Sequence, residues 1–410
     1  MAHSETNNSE QQQSGMSTLA QMLGMDRSAN SPLRLSRQKV RISRDRLFDS
    51  ALRVLELYGK NTQYLLEVEF FDEVGSGLGP TLEFYALVSR EWQQKSLGLW
   101  YVATDSSSSN DGYMHSSQGL FPISSQTVDP TKRSSIERLF RIMGIFVAKS
   151  IIDVRLIDLP LNPLFLQLLF LEHGSDFKPT LSHLEQVDLK LASSLKSIIA
   201  EKDVSSLGLD FTLPGHSQVE LKPNGAQTNV TTENVDEYAR LVLDAFLGDG
   251  IRPWLSAFRS GFGEVLHPKA LQYLFAEEIQ DLFCTPKWQG PWKEEELYGN
   301  IKFDHGLSAT HQTVRYFIQM LTSYSEAEQR LFLQFVTGCP RLPIGGFKAL
   351  APPLTIVRKT FEAPQRPDDY LPSVMTCVNY VKLPEYSSLD ILRQKFNTAM
   401  QEGQGSFHLS

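Results

Sequence analysis

The run Thr285-Pro-Lys-Trp-Gln-Gly-Pro291 interrupts every hydrophobic period around it and divides the chain into two unequal parts. Upstream of it, apolar residues recur mainly at helical spacing. Downstream, helical stretches at Val314–Leu321 and Glu326–Phe335 alternate with short β-branched runs, Leu354–Lys359 and Thr376–Leu383, and with turn residues at Pro340 and Gly345-Gly346. A linker of about seven residues reaches at most ~25 Å when fully extended, so two lobes joined by it can pivot but cannot part. The pattern predicts an α+β chain with a mainly helical lobe over 41–284, a hinge at 285–291 and a mixed α/β lobe over 292–410.

Residues 1–40 are expected to be a disordered lead-in, beginning rich in Ser, Asn and Gln and holding one short apolar cluster, Leu19, Met22 and Leu23. The basic residues Arg34, Arg37, Lys39, Arg41, Arg44 and Arg46 read as a solvated face entering a helix. Ser43 would cap that helix, and Leu47, Phe48, Ala51, Leu52, Leu55 and Tyr58 would form its apolar stripe, ended by Gly59. Tyr64–Phe70 alternates as a strand, and Asp72-Glu-Val-Gly-Ser-Gly-Leu-Gly-Pro80 precedes a helix through Trp92. Strand, glycine loop and helix also frame phosphate sites, but these glycines are followed by Pro80 with no Lys-Ser/Thr pair. A tight turn packing helix on strand is the better reading.

Residues 104–119 read as a surface insertion. Helices follow at Ile136–Ile152, Pro163–Leu171 and Leu181–Glu201, the last with Leu191, Leu195 and Ile198 on one face. Leu207–Leu213 and Val219–Leu221 read as short strands around Pro214-Gly215, and helices resume at Val235–Leu247, Trp254–Val265 and Pro268–Phe283. This first region is therefore expected to be mainly helical, with a small β element inserted.

The net charge of −8 argues against nucleic acid as a partner. No run approaches the ~18 apolar residues that cross a bilayer, so no membrane partner is expected. The polar, Gln-rich start does not resemble a signal peptide. Cys284, Cys339 and Cys377 are the only cysteines, an odd and sparse set that suits reduced thiols in the cytoplasm or nucleus. None has metal-ligand spacing with another cysteine or with His305 or His311, so no metal and no cofactor are expected.

Cys377 lies in Leu371-Pro-Ser-Val-Met-Thr-Cys-Val-Asn-Tyr-Val-Lys-Leu-Pro-Glu-Tyr-Ser-Ser388, between a Pro-led loop and an alternating segment. A cysteine in an apolar strand is ordinarily structural. A short helix capped by Ser387 and Asp390, carrying Ile391, Leu392 and Phe396, then leads to a tail too short for another layer. That tail either hangs free or lies back over the thiol.

The chain resembles the HECT-type ubiquitin ligases. The residues that carry the resemblance are Gly75-Ser-Gly-Leu-Gly-Pro-Thr-Leu-Glu-Phe-Tyr85, Arg330-Leu-Phe-Leu-Gln-Phe-Val-Thr-Gly338 and Arg341-Leu-Pro-Ile-Gly-Gly-Phe347. Thr376-Cys377, Leu383-Pro-Glu-Tyr-Ser-Ser388 and Phe407, fourth from the end, complete the set. Gly79–Ser89, Leu354–Lys359 and Ser406–Ser410 are most similar to the branch holding the thyroid hormone receptor interactor twelve protein and the fungal ubiquitin-fusion-degradation ligases. The resemblance spans about residues 40–410 and implies the bilobal fold of that family, with a small β-containing sub-lobe over about 185–265 in the first lobe, as the catalytic module of a larger protein.

The resemblance further implies a function. A ubiquitin-conjugating enzyme would dock on the first lobe and load ubiquitin onto Cys377 as a thioester. Cys377 would then pass it to lysines of protein substrates or of ubiquitin, feeding proteasomal degradation. Thr376, Phe407 and His408 would support the site, Phe407 by packing the tail against the acceptor. Matching suggests Leu191, Leu195, Ile198, Leu207, Tyr238 and Val242 as an exposed apolar docking surface, with Tyr238 the strongest hot-spot candidate. Asp368, Asp369, Glu385, His408 and the terminal carboxylate are candidates for orienting or deprotonating the acceptor lysine. Two alternatives stay open: a cysteine hydrolase pairing Cys377 with a distant histidine such as His305, and a scaffold that binds without turnover.

Overall fold

Two separate sets of buried apolar side chains form, one running from Val40 to Ile279 and the other from Leu297 to Met400. Each set is the core of one lobe, so the computed structural model has a bilobal α+β fold. It describes residues 36–73, 77–103, 111–170, 177–271, 274, 276–283, 290–361 and 365–402. Cys284 and most of the expected hinge at 285–291 lie outside them.

The first lobe opens with a βαβ unit: β1 (Ser36–Ile42), α1 (Leu47–Tyr58) and β2 (Tyr64–Phe70), the strands parallel with Arg41 opposite Glu69. Residues 36–40 of the expected lead-in therefore belong to β1, and Arg37, Lys39 and Arg41 of the basic run line a strand rather than a helix face. Its period is two: Val40 and Ile42 are buried while Lys39 and Arg41 are exposed. Arg37 reaches Glu67 and Lys39 reaches Glu69, each at 3.1 Å, so β2 supplies the counter-charges. Helix α1 starts after Arg46 with no side-chain cap, not at Ser43, and ends at Gly59 as expected.

Helices α2 (Leu78–Glu91), α3 (Pro130–Ile152) and α4 (Pro163–Phe170) follow. Asp129 caps α3 by accepting from the Thr131 N–H, with Pro130 in the first turn. Near the end of α3, Lys149 and Asp153 are buried side by side, Nζ 2.9 Å from Oδ1. The other carboxylate oxygen accepts from the Tyr85 hydroxyl at 2.7 Å and the Leu66 N–H at 3.2 Å. One ion pair thus fastens α3 to α2 and β2.

The sub-lobe consists of α5 (Leu181–Glu185), α6 (Leu189–Ala200), the hairpin β3 (Thr212–Leu213) and β4 (His216–Glu220), and α7 (Val235–Leu247). The single helix expected over 181–201 is broken because Asp188 accepts from the Leu191 N–H and starts α6 afresh. Leu207 closes a 3-10 turn instead of opening a strand. Helix α8 (Arg252–Gly263) returns to the body of the lobe and packs on α3. Gly144 and Gly261 allow this: a Cβ at either would stand 2.1 Å from the Phe258 carbonyl oxygen or 1.8 Å from that of Arg141. The sub-lobe therefore ends with α7, short of the expected residue 265, and α9 (Ala276–Phe283) closes the lobe.

The second lobe contains α10 (Glu294–Asn300), β5 (Lys302–Asp304), α11 (Gln312–Thr322), α12 (Glu326–Thr337), β6 (Thr355–Arg358), β7 (Ser373–Met375), β8 (Tyr380–Leu383) and α13 (Leu389–Glu402). Its sheet has the order β5-β6-β8-β7, with only β7 antiparallel to its neighbour. A Ser325–Glu328 capping box starts α12 and a left-handed Gly338 ends it. Ser388, not Ser387, caps α13 by accepting from the Ile391 N–H at 3.3 Å, because Ser387 donates to Asp368.

Replacing Asp153 with Ala leaves Lys149 charged, buried and without its carboxylate. The expected loss is about 3–5 kcal/mol of first-lobe stability. Chemical denaturation followed by far-UV circular dichroism measures it, and a loss below about 1 kcal/mol would mean that the pair does not hold the helices together.

Candidate functional site

Strands β7 and β8 pair up to Met375 opposite Tyr380, and the chain between them reverses through a 3-10 turn, Thr376–Val378. Cys377 stands on that turn, not on the strand that the alternating pattern suggested. Asn379 makes the reversal possible by adopting φ 50° and ψ 49°, a left-handed conformation that asparagine tolerates better than most residues. Its buried side chain donates to the Pro352 carbonyl at 2.7 Å, and its own carbonyl accepts from the Thr355 N–H at 2.9 Å. The turn is therefore pinned to the start of β6.

Cys377 is exposed while its neighbour Thr376 is buried. Met375 and Val378 remain 44% and 38% exposed and give the thiol an apolar rim. Cys339 is the opposite case: it is buried, and burial pushes its thiol up to about 11. Of these two cysteines, only Cys377 offers a thiol that a large electrophile can reach.

The candidates for lysine activation are dispersed. Asp368 accepts from the Ser387 N–H and hydroxyl at 2.9 and 2.7 Å, which braces the loop after β8. Glu385 lies 3.0 Å from His311 and 3.6 Å from Arg358, while Asp369 is exposed. His305 has its Nε2 3.4 Å from the Tyr380 hydroxyl, and no described hydrogen bond joins it to Cys377. Phe407, His408 and the terminal carboxylate lie outside the described residues.

The expected docking residues divide. Leu191, Leu195, Ile198 and Tyr238 line a groove of about 460 Å³ bounded by α6, the β3–β4 hairpin and α7. Leu207 stands beside it on the 3-10 turn and is 44% exposed. The expectation that all six are exposed fails for three: Leu195, Tyr238 and Val242 are buried. Tyr238 still reaches the groove wall, edge-on to Phe211 with ring centres 5.6 Å apart, whereas Val242 belongs to the core. Residues four apart on α7 share one stripe, and that stripe faces inward.

Sequence reasoning named a linker between the lobes but no side chain that ties one lobe to the other. Arg330 on α12 forms an ion pair with Asp158, and Arg341 donates to the carbonyls of Asp281 and Leu282 at 2.9 and 3.1 Å, at the end of α9. Between the lobes runs a cleft of about 970 Å³, lined among others by Arg90, Tyr113, Asp158 and Arg330. Arg330 and Arg341 each open one of the runs singled out in the sequence, but only the fold reveals their partners across the lobes.

A family model described as HECT-domain (ubiquitin-transferase) matches residues 86–410. The chain is 42% identical to E3 ubiquitin-protein ligase TRIP12 of Danio rerio, over 92% of this chain and 20% of that protein. It is 40% identical to ubiquitin fusion degradation protein 4 of Saccharomyces cerevisiae and 38% to E3 ubiquitin-protein ligase UPL4 of Arabidopsis thaliana, in both cases over 92% of this chain and 26% of the relative. The chain thus spans about a fifth to a quarter of the length of these curated relatives.

The contrast between the two described thiols predicts selective alkylation. Iodoacetamide at about pH 8 should modify Cys377 in the folded protein and leave Cys339 untouched until denaturant is added. Peptide mapping reads both sites, and native modification of Cys339 at a comparable rate would contradict the burial argument.

Proposed function

Because the chain belongs to the HECT-domain (ubiquitin-transferase) family, we propose that it carries the transferring module of a ubiquitin-protein ligase, with Cys377 as acceptor. The observation that carries this reading is an exposed cysteine on a pinned turn between two strands, beside a buried threonine. The chemistry has two steps. In loading, the Cys377 thiolate attacks the thioester carbonyl on the conjugating enzyme; a new C–S bond forms, the old one breaks, and the departing thiolate takes up a proton. One thioester replaces another, so no dedicated base is demanded. In delivery, a deprotonated lysine amine attacks the Cys377 thioester. An isopeptide C–N bond forms, the C–S bond breaks, and the amine's remaining surplus proton passes to solvent or a nearby base.

The partners in this reading are a conjugating enzyme, ubiquitin and protein substrates, and the outcome is proteasomal degradation of the substrates. The groove on α6, β3–β4 and α7, with Leu207 at its edge, suits an apolar loop of the conjugating enzyme. Thr376 braces the thiol turn, and Phe407 and His408 of the tail would complete the acceptor side. The cytoplasm or nucleus suits three sparse thiols, and no described helix is long and apolar enough to cross a membrane.

A charging assay with labelled ubiquitin, activating enzyme and conjugating enzyme tests the reading directly. The chain should acquire a ubiquitin adduct that reductant removes. Cys377→Ser should abolish transfer or trap an adduct that resists reductant but yields to alkali. Full ligase activity in that variant would refute the assignment. For the groove, Leu207→Asp together with Ile198→Asp should raise the conjugating-enzyme concentration needed for half-maximal charging on the order of tenfold or more. Unchanged charging at limiting conjugating enzyme would move the docking site elsewhere.

A further inference from the structure

The proposed chemistry leaves unused one motif that the sequence singled out, the glycines around the start of α2. Gly79 is buried, and a Cβ built there would stand 3.2 Å from the Thr376 hydroxyl oxygen, one residue from Cys377. The same first turn of α2 meets the end of α12, since a Cβ on Gly338 would touch Leu82 at 3.3 Å. We propose that the lip formed by Gly77–Pro80 is a seat on the first lobe for the Cys377 turn, with Gly79 the positioning residue that lets the turn come down during delivery. This inference rests on Cys377 being the ubiquitin acceptor.

The lip has the rigidity that a seat requires. Thr81 is buried, and its hydroxyl donates to the Gly77 carbonyl at 2.8 Å while accepting from the Val68 N–H at 2.9 Å, which clamps the lip to β2. Two residues on, Glu83 accepts from both Arg44 Nη atoms at 2.9 and 2.8 Å, and Arg44 also pairs with Glu73 while its guanidinium lies 3.9 Å above the Phe70 ring. Gly77 itself takes φ 92° and ψ −139°, which a residue with a Cβ adopts only under strain. The chain is bent into place at Gly77, fastened at Thr81 and Glu83, and bare at Gly79, where the other lobe approaches.

Placement assigns the seat to the second half of the reaction. The main neighbours of the thiol turn are α2 and α12, whereas the groove is built from α6, β3–β4 and α7. A conjugating enzyme in the groove and the seated turn use different parts of the first lobe. A side chain at Gly79 therefore obstructs the seated arrangement and leaves the groove intact.

Single-turnover kinetics on the whole chain separate the steps, with charging from a loaded conjugating enzyme followed apart from discharge of the purified Cys377 thioester to acceptor ubiquitin. Gly79→Val should charge at the wild-type rate and discharge slower by ten- to a hundredfold, the scale of loss that a misplacement of about 1 Å produces. Gly79→Ala should show a smaller loss of the same kind, and it decides the matter if melting curves show Gly79→Val to be unfolded. Thr376→Ala removes the opposing hydroxyl, so adding Gly79→Ala to it should cost less discharge than adding Gly79→Ala to wild type. Normal discharge in the Gly79 variants, equal loss of both steps, or a Gly79→Ala effect independent of Thr376 would each overturn the seat. Absence of any reducible adduct on the wild-type chain would instead overturn the reading of Cys377, so the two failures are distinguishable.

Discussion

The junction between two independently cored lobes governs what this molecule can do, and that junction is fastened by polar contacts. Arg330 to Asp158 and Arg341 to the last carbonyls of α9 are its named ties. Arg341 sits where a cation is favoured, at the carbonyl end of a helix. Asp158 is largely covered and Arg330 is more than a third exposed, while the buried Arg341 makes two charge-assisted hydrogen bonds. By contrast, the cores of the two lobes gather dozens of apolar side chains that no motion of the lobes needs to disturb. Two large cores joined by a few polar ties favour motion as bodies over internal rearrangement.

The thiol turn follows the same division between what is fixed and what is free. Asn379 is buried and spends its side-chain amide and its carbonyl on the backbone around it, while the buried Thr376 accepts from the Asn379 N–H through its carbonyl, so the turn is held within its own lobe. Cys377 is the member left in the open, with apolar Met375 and Val378 beside it. In the proposed reading, a thiol that receives a whole protein needs access more than it needs an adjacent base, because exchange between thioesters is nearly balanced in free energy. The His305 imidazole has the Tyr380 hydroxyl as its hydrogen-bonding neighbour, 3.4 Å away.

How much of this was legible depended on the range of the interaction. The helix stripes of α1, α3 and α7 and the stop at Gly59 are local, and the sequence displays them. The β1 strand was missed because its basic residues alternate with only two buried partners, Val40 and Ile42, too short a run to compete with a helical reading. Helix α8 was assigned to the sub-lobe because its attachment to α3 rests on Gly144 and Gly261, whose value lies in an approach between segments far apart in the chain. Cys377 stood out through resemblance, not through its own pattern. For the docking residues, a stripe at helical spacing looks the same whether it faces a core or a groove, which is why Val242 was grouped with Leu207.

The separation of groove and thiol turn leads to a further consequence. If the groove holds the donor and α2 supports the turn, a single rigid arrangement cannot serve both loading and delivery equally well, since the turn has α2 and α12 for neighbours in the seated state. A junction strong enough to abolish exchange would favour one step at the expense of the other. If the ties across the junction are few and polar, two arrangements of the lobes exchange and the bound partner selects between them. In the proposed reading, such a junction lets one exposed sulfur face a donor and an acceptor in turn.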